Sequence, residues 1–149
     1  MKKFEFQLEK LLSYKGQILD SELMTLAVLN NQLSEEQQKL LALQAEQEQC
    51  RAEFESRMLE KTTPAACQAY NSYKEHLKDQ ILITEKTIAA IMAQVERQIE
   101  LVKKLKLETK SLETLRTSRY DEYKKEGLKA AEKQLEEFVS TAKIMKKTV

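Results

Sequence analysis

The sequence is short of everything that interrupts a helix. Its 149 residues include one proline, Pro64, and two glycines, Gly16 and Gly127. Turns depend on such residues, so a loop-rich or many-stranded fold is not expected. There is no Trp, and aromatics make up only 6%, so a compact core of ordinary size is not expected either. The only cysteines are Cys50 and Cys67, too few for a disulfide framework. With a turn at residues 62–64 they are offset by roughly 13 Å along the axis, at 1.5 Å per residue. That is too far to bridge, so they read as two buried or half-buried thiols. No stretch approaches the ~20 apolar residues of a membrane span. Met1 to Lys15 carries mixed charges and no apolar h-region, unlike a signal peptide.

Reactive chemistry is lacking as well. The lone histidine, His76, has Glu75 and Asp79 near it but no metal-ligand spacing. Two glycines 111 residues apart cannot form a phosphate loop. Glu35-Glu36 and Glu136-Glu137 diverge on a helix and read as solvated faces. The expectation is no catalytic residue, no cofactor-binding residue, no metal site and no enzyme activity. The formal net charge is +1, and Lys103-Lys104-Leu105-Lys106 reads as charge flanking an apolar seam. No nucleic-acid partner is expected.

What is present is helical periodicity. Charged residues make up 33%, and Ala, Glu, Lys, Leu and Gln dominate, as in long helices. Leu12, Leu19, Leu26, Leu33 and Leu40 recur every seven residues, and Phe54 continues the series after Gln47. Leu8, Leu11, Ile18, Leu29, Leu43 and Cys50 widen that stripe. The alternate row is poor, with Leu23 followed by Asn30, Gln37, Gln44 and Arg51. Beyond Pro64, Ile81, Ile88, Val95 and Val102 form one row, and Leu77, Ile91, Leu105 and Leu112 its partner. Such heptads argue a coiled coil.

The expected fold is all-α: one long antiparallel two-helix coiled-coil hairpin forming a single domain over residues 1–149. Helix 1 should run over about 3–61, the turn over 62–64 and helix 2 over about 65–146. Thr63 can cap the second helix, with Pro64 at its first position. Facing residues then sum to about 126. Leu19 faces Leu105, Leu33 faces Ile91 and Val95, Leu40 faces Ile88, and Phe54 faces Tyr70 and Tyr73. Residues 1–61 hold 8 Lys/Arg against 11 Asp/Glu, and residues 62–149 hold 17 against 13. The halves therefore carry −3 and +4, which favours antiparallel pairing.

The arms are unequal. Helix 1 runs out opposite about Glu122, leaving helix 2 an overhang over about 127–149. Leu128, Ala131, Leu135, Phe138, Ala142 and Met145 form an amphipathic stripe there, and an exposed stripe of that kind points to docking. The tyrosines gather at two places. Tyr70 and Tyr73 join Phe54 near the turn, while Tyr14, Tyr120 and Tyr123 join Phe4 and Phe6 near the termini. Tyrosine is favoured at recognition surfaces.

The opening Phe4-x-Phe6-x-Leu8-Glu9-Lys10-x-Leu12-x-Tyr14-Lys15 resembles the start of the flagellar FliJ proteins. Tyr70-x-x-Tyr73-x-x-x-Leu77 resembles that family's aromatic segment after the turn. Leu112-Glu113-x-Leu115 with Arg119 and Tyr123, then Glu132-Lys133-x-Leu135-Glu136-Glu137-Phe138, resembles its C-terminal signature. The resemblance covers the whole chain. It implies a non-enzymatic stalk and escort component of flagellar type III protein export, similar to the γ-subunit stalk of rotary ATPases. Such a protein serves flagellum biogenesis, and with it motility and chemotaxis.

The partners implied are the hexameric export ATPase, which the stalk enters and stimulates, the cytoplasmic domain of the export gate protein FlhA, and the flagellar substrate chaperones. The localisation implied is cytoplasmic, peripheral to the inner face of the cell membrane at the flagellar base, with membrane contact only through the export apparatus. Carried over by position, the gate contact comprises Leu43, Cys50, Tyr70, Tyr73, Leu77, Gln80 and Thr84. The ATPase contact comprises Tyr14, Lys15, Arg116, Arg119, Tyr120 and Tyr123. Leu128, Leu135, Phe138 and Met145 in the overhang would dock a chaperone or the ATPase. The alternatives are the equivalent stalk of a virulence type III secretion system, or a coiled-coil scaffold or holdase unrelated to secretion.

Overall fold

The computed structural model describes residues 2–148, with side chains as far as Lys147. Two helices account for nearly all of it: α1, Glu9–Met58, and α2, Pro64–Thr148. They pack against each other as a two-helix hairpin, and no strand occurs among the described residues. Neither helix is long and apolar enough at any point to cross a membrane.

Helix α1 begins at Glu9, six residues later than its periodicity suggests. The reason is twofold. Lys2 to Leu8 contains no Ser, Thr, Asp or Asn to cap an earlier start. The segment also has other partners: Phe4 packs edge-on to Tyr120 at 5.1 Å and lies 5.5 Å from Tyr123. The Tyr123 hydroxyl donates to the Lys2 carbonyl. The Glu9 N–H donates to the Phe6 carbonyl at 3.1 Å, and from there the ladder proceeds.

Helix α1 ends at Met58, where the Glu60 N–H donates to the Arg57 carbonyl at 3.0 Å. Thr63 then caps α2. Its Oγ1 accepts from the Ala66 N–H at 3.2 Å, and its carbonyl accepts from the Cys67 N–H at 3.1 Å. Pro64 occupies the first helical position, where its missing N–H and fixed φ cost nothing.

Interhelical packing divides the chain into two compact units. The unit comprising residues 21–102 is antiparallel: Glu22 reaches Gln98 at one end, and Phe54 stacks on Tyr70 at the other. Its seam holds Leu26, Leu29, Leu33, Leu40 and Leu43 against Leu77, Ile81, Ile88, Ile91, Val95 and Val102. Only Leu77, Thr84 and Val102 are buried there, because a second helix covers one side of a helix and leaves the rest to solvent. Thr84 sits in the seam with its hydroxyl donating to the Gln80 carbonyl at 2.8 Å.

Of the two rows that flank the heptad leucines of α1, only one turns into the seam. Leu23, Asn30, Gln37, Gln44 and Arg51 are exposed. Glu22, Leu29, Glu36, Leu43 and Cys50 are half-buried instead. Rotating α1 by one position exchanges Asn30 and Gln44 for Leu29 and Leu43 in the seam. That gains apolar burial at about 25 cal/mol per Å². The exchange also brings in Glu22, which accepts from Gln98 Nε2 through its carbonyl at 2.9 Å and its carboxylate at 2.5 Å.

The other unit joins the residues up to Asp20 with those from Lys103. Half-buried Leu12, Ile18 and Leu19 supply α1's share, with buried Leu105 and half-buried Leu112 on α2. Two ion pairs fix its antiparallel register: Lys15 with Glu108 at 2.8 Å, and Arg116 with Glu9 at 2.8 Å. Past Gly127, α2 runs on to Thr148 with every described side chain exposed. Val149, which the expected overhang included, lies outside the described residues.

Candidate functional site: two aromatic clusters and an apolar helix face

The chemistry available to this chain is that of surfaces. Among the described residues no group of His, Cys, Asp or Glu is placed to hold a metal ion. Cys50 and Cys67 are both half-buried free thiols. The Thr62 hydroxyl lies 4.0 Å from the Cys67 sulfur.

The first cluster lies beside the turn, in the unit of residues 21–102. The Phe54 and Tyr70 rings stack with centroids 3.8 Å apart and planes 3° from parallel. Tyr73 lines one cleft with both of them. It donates its hydroxyl to the Glu46 carboxylate and lies 6.4 Å from the His76 ring. The hydrogen bond to Glu46, then desolvation, holds the Tyr73 phenol above its ordinary value of 10.0. Arg51 is pinned by Glu48 on one side and by Glu55 at 2.6 Å on the other. Its hydrogen bond lowers the Glu48 carboxyl below the usual range. The two pairs pre-orient Arg51, and being exposed they hold it only weakly.

Of the seven residues expected at the gate contact, Tyr73 is exposed, and Leu43, Cys50, Tyr70 and Gln80 are half-buried. Leu77 and Thr84 are only 2% and 1% exposed. They shape the seam under that surface and present almost none of it. Cys50, Tyr70 and Leu77 also line a small cleft of about 180 Å³ with Gln47, Arg51 and Lys74.

The second cluster lies in the unit built around the N-terminal segment. Phe4, Tyr120 and Tyr123 form an aromatic group, with Tyr120 and Tyr123 centroids 6.3 Å apart. The Arg116 guanidinium lies 5.8 Å above the Phe4 ring, and Lys124 Nζ 4.6 Å above the Tyr120 ring. Cations over ring faces are held by the ring quadrupole. An open groove of about 650 Å³ runs beside the group, lined by Phe4, Phe6, Leu115, Arg119 and Tyr123, with Gly127 and Ala130 as small residues in its wall.

All six residues expected at the ATPase contact fall in this unit. Tyr14, Arg116, Arg119 and Tyr120 are exposed, and Lys15 and Tyr123 half-buried. Lys15 and Arg116 spend their charge on Glu108 and Glu9. The Lys15 ammonium, chiefly through its hydrogen bond, lowers the Glu108 carboxyl below its ordinary range. Sequence reasoning missed the cations over Phe4 and Tyr120. For Lys124 the signal was available in Tyr120-x-x-x-Lys124, an i, i+4 pair on one helix face, whereas Phe4 lies on another segment and no helical spacing announces Arg116 over its ring.

The third feature is the end of α2. Leu128, Leu135, Phe138 and Met145 are all exposed, and so are Val139 and Ile144. The last two lie beside the expected stripe and widen it.

A family model described as flagellar FliJ protein matches residues 4–147, almost the whole chain. No curated protein and no solved structure matches it.

Proposed function

This chain belongs to the flagellar FliJ family, and from that membership we propose that it is the stalk of the flagellar type III export ATPase. Membership carries a role connected with flagellar export, and a non-catalytic one. The finer reading gives each of the three surfaces its own partner. The cluster around Tyr14, Arg119, Tyr120 and Tyr123 enters the ring of the hexameric ATPase. The surface around Tyr73 meets the cytoplasmic domain of the export gate protein FlhA. The exposed end of α2 receives a substrate chaperone or a further part of the ATPase. The work is done in the cytoplasm at the flagellar base.

The observation that carries the reading is the family match across residues 4–147. It is supported by where the exposed aromatics fall, in two separate clusters. The mechanism needs no reactive group. A two-helix body inside a six-fold ring cannot make equal contacts with six subunits. It binds some conformations better than others, and that difference in affinity shifts which subunit closes on nucleotide.

The test is ATP hydrolysis by the purified hexameric export ATPase, alone, with the full chain, and with a chain ending at Glu126. The reading expects the full chain to raise the rate. Loss of that rise in the shortened chain assigns the contact to the end of α2, and its retention assigns it to the aromatic cluster. An unchanged rate with the full chain, together with no binding in a pull-down, contradicts the stalk reading.

A further inference from the structure

The apolar stripe near the end of α2 has the spacing of a coiled-coil seam, which a second copy can meet in the reverse direction. Leu135, Phe138, Ala142 and Met145 are spaced 3, 4, 3 along a continuous helix. Leu135 and Phe138 are 64% and 72% exposed, and Met145 is exposed as well. Reversed end to end, the spacing repeats itself. A second copy laid antiparallel brings Leu135 opposite the partner's Met145, and Phe138 opposite the partner's Ala142. The two remaining layers are the same pairs read from the other chain. Each layer then sets a large side chain against a complementary one, as interdigitating seams require.

The flanking residues obey the same symmetry. In an antiparallel two-helix seam, the position just after each second core residue faces its own equivalent on the other chain. Here those positions are Glu132, Val139 and Lys146, all exposed. Glu132 faces the partner's Lys146, and Lys146 faces the partner's Glu132. Val139 lies on the two-fold axis and meets itself. In a parallel in-register pair these positions face other neighbours, Glu132 the partner's Gly127 and Lys146 the partner's Thr141, so the attraction between Glu132 and Lys146 is open only to the antiparallel pair. The core spacing permits the antiparallel pair, and the flanking charges select its orientation and register. Closed two-fold symmetry also stops the contact from propagating into filaments.

We propose that the end of α2 pairs antiparallel with the same segment of a second copy of this chain, centred between Phe138 and Ala142. Four core layers make a contact of the small, transient class. The pair forms and dissociates with concentration. Any protein that takes the same stripe must first separate it, so self-pairing keeps the apolar face covered until a partner arrives.

Sedimentation velocity on the full chain tests this. The expected result is a concentration-dependent rise from the 17.3 kDa monomer towards twice that mass. Phe138→Glu is expected to hold the chain at monomer mass, with helical circular dichroism retained as the folding control. Glu132→Lys and Lys146→Glu are each expected to lose the dimer, because each opposes like charges across the seam. Mixing the two variants restores it, since every Glu132 and Lys146 position then meets its opposite. A monomer at all concentrations overturns the proposal. So does a dimer indifferent to Phe138→Glu, or single-charge variants that fail to re-pair on mixing. None of these readouts involves the ATPase, so this inference and the stalk reading fail separately.

Discussion

Glu108 is the residue whose ionisation the structure perturbs in a way that a stability measurement can read. Its carboxyl is lowered chiefly by the hydrogen bond from Lys15, which spans the two helices. A carboxyl lowered on folding stabilises the fold above its unfolded value, and that contribution is lost as pH falls through the folded value. The thermal midpoints of the wild type and Glu108→Gln should therefore differ at neutral pH and converge below the ordinary carboxylate value of 4.5. Circular dichroism melts across that range check it; a constant gap at all pH values would remove the ion pair from the account. Gly16 gives the opposite kind of test. A Cβ built there meets nothing within 4 Å, so Gly16→Ala carries only the gain in helix propensity, about 1 kcal/mol of stability. Urea denaturation measures it. A loss of stability would mean that space at Gly16 is needed in the fold.

The elements were legible to different depths. Pro64 after Thr63 marked the start of α2, and Thr63 Oγ1 accepts the bond from Ala66 that a cap should. Thr63→Ala is expected to cost about 1 kcal/mol, read as a lower urea midpoint. Heptads alone put Phe54 opposite Tyr70, and the rings stack. They did not reveal the true start of α1, because periodicity says where a helix could bury a face and nothing of what else competes for the segment. Phe4 has a better use against Tyr120 and Tyr123. For the second row of α1 the heptads offered two candidates, Leu29, Leu43 and Cys50 or the poorer Leu23, Asn30, Gln37, Gln44 and Arg51, without choosing between them. A pattern broken at Asn30, Gln37 and Gln44 leaves two rotations open, and the choice depends on the facing helix. Gln98 accommodates Glu22, and Leu29 and Leu43 are then drawn into the seam. Seam position also separates two neighbouring leucines. Leu77→Ala, at a buried site, should cost about 2–5 kcal/mol, whereas exposed Leu82→Ala should stay within about 0.5 kcal/mol. Equal effects in chemical denaturation would contradict the assigned seam.

For the whole molecule, family membership and the disposition of its surfaces point to a protein that acts by contact. Three of the basic side chains are engaged within the chain: Lys15 with Glu108, Arg116 with Glu9, and Arg51 with Glu48 and Glu55. The exposed aromatic and apolar surface at Tyr14, Tyr120 and Phe138 is of the kind that concentrates binding energy in a few residues. The most direct measurement of the central claim is hydrolysis by the hexameric export ATPase in the presence of the full chain, of Tyr120→Ala, and of Met24→Ala as an exposed control outside both clusters. The account predicts that the full chain and Met24→Ala raise the rate equally and that Tyr120→Ala, still fully helical, raises it several-fold less. Equal stimulation by Tyr120→Ala, or none by the wild-type chain, would contradict it.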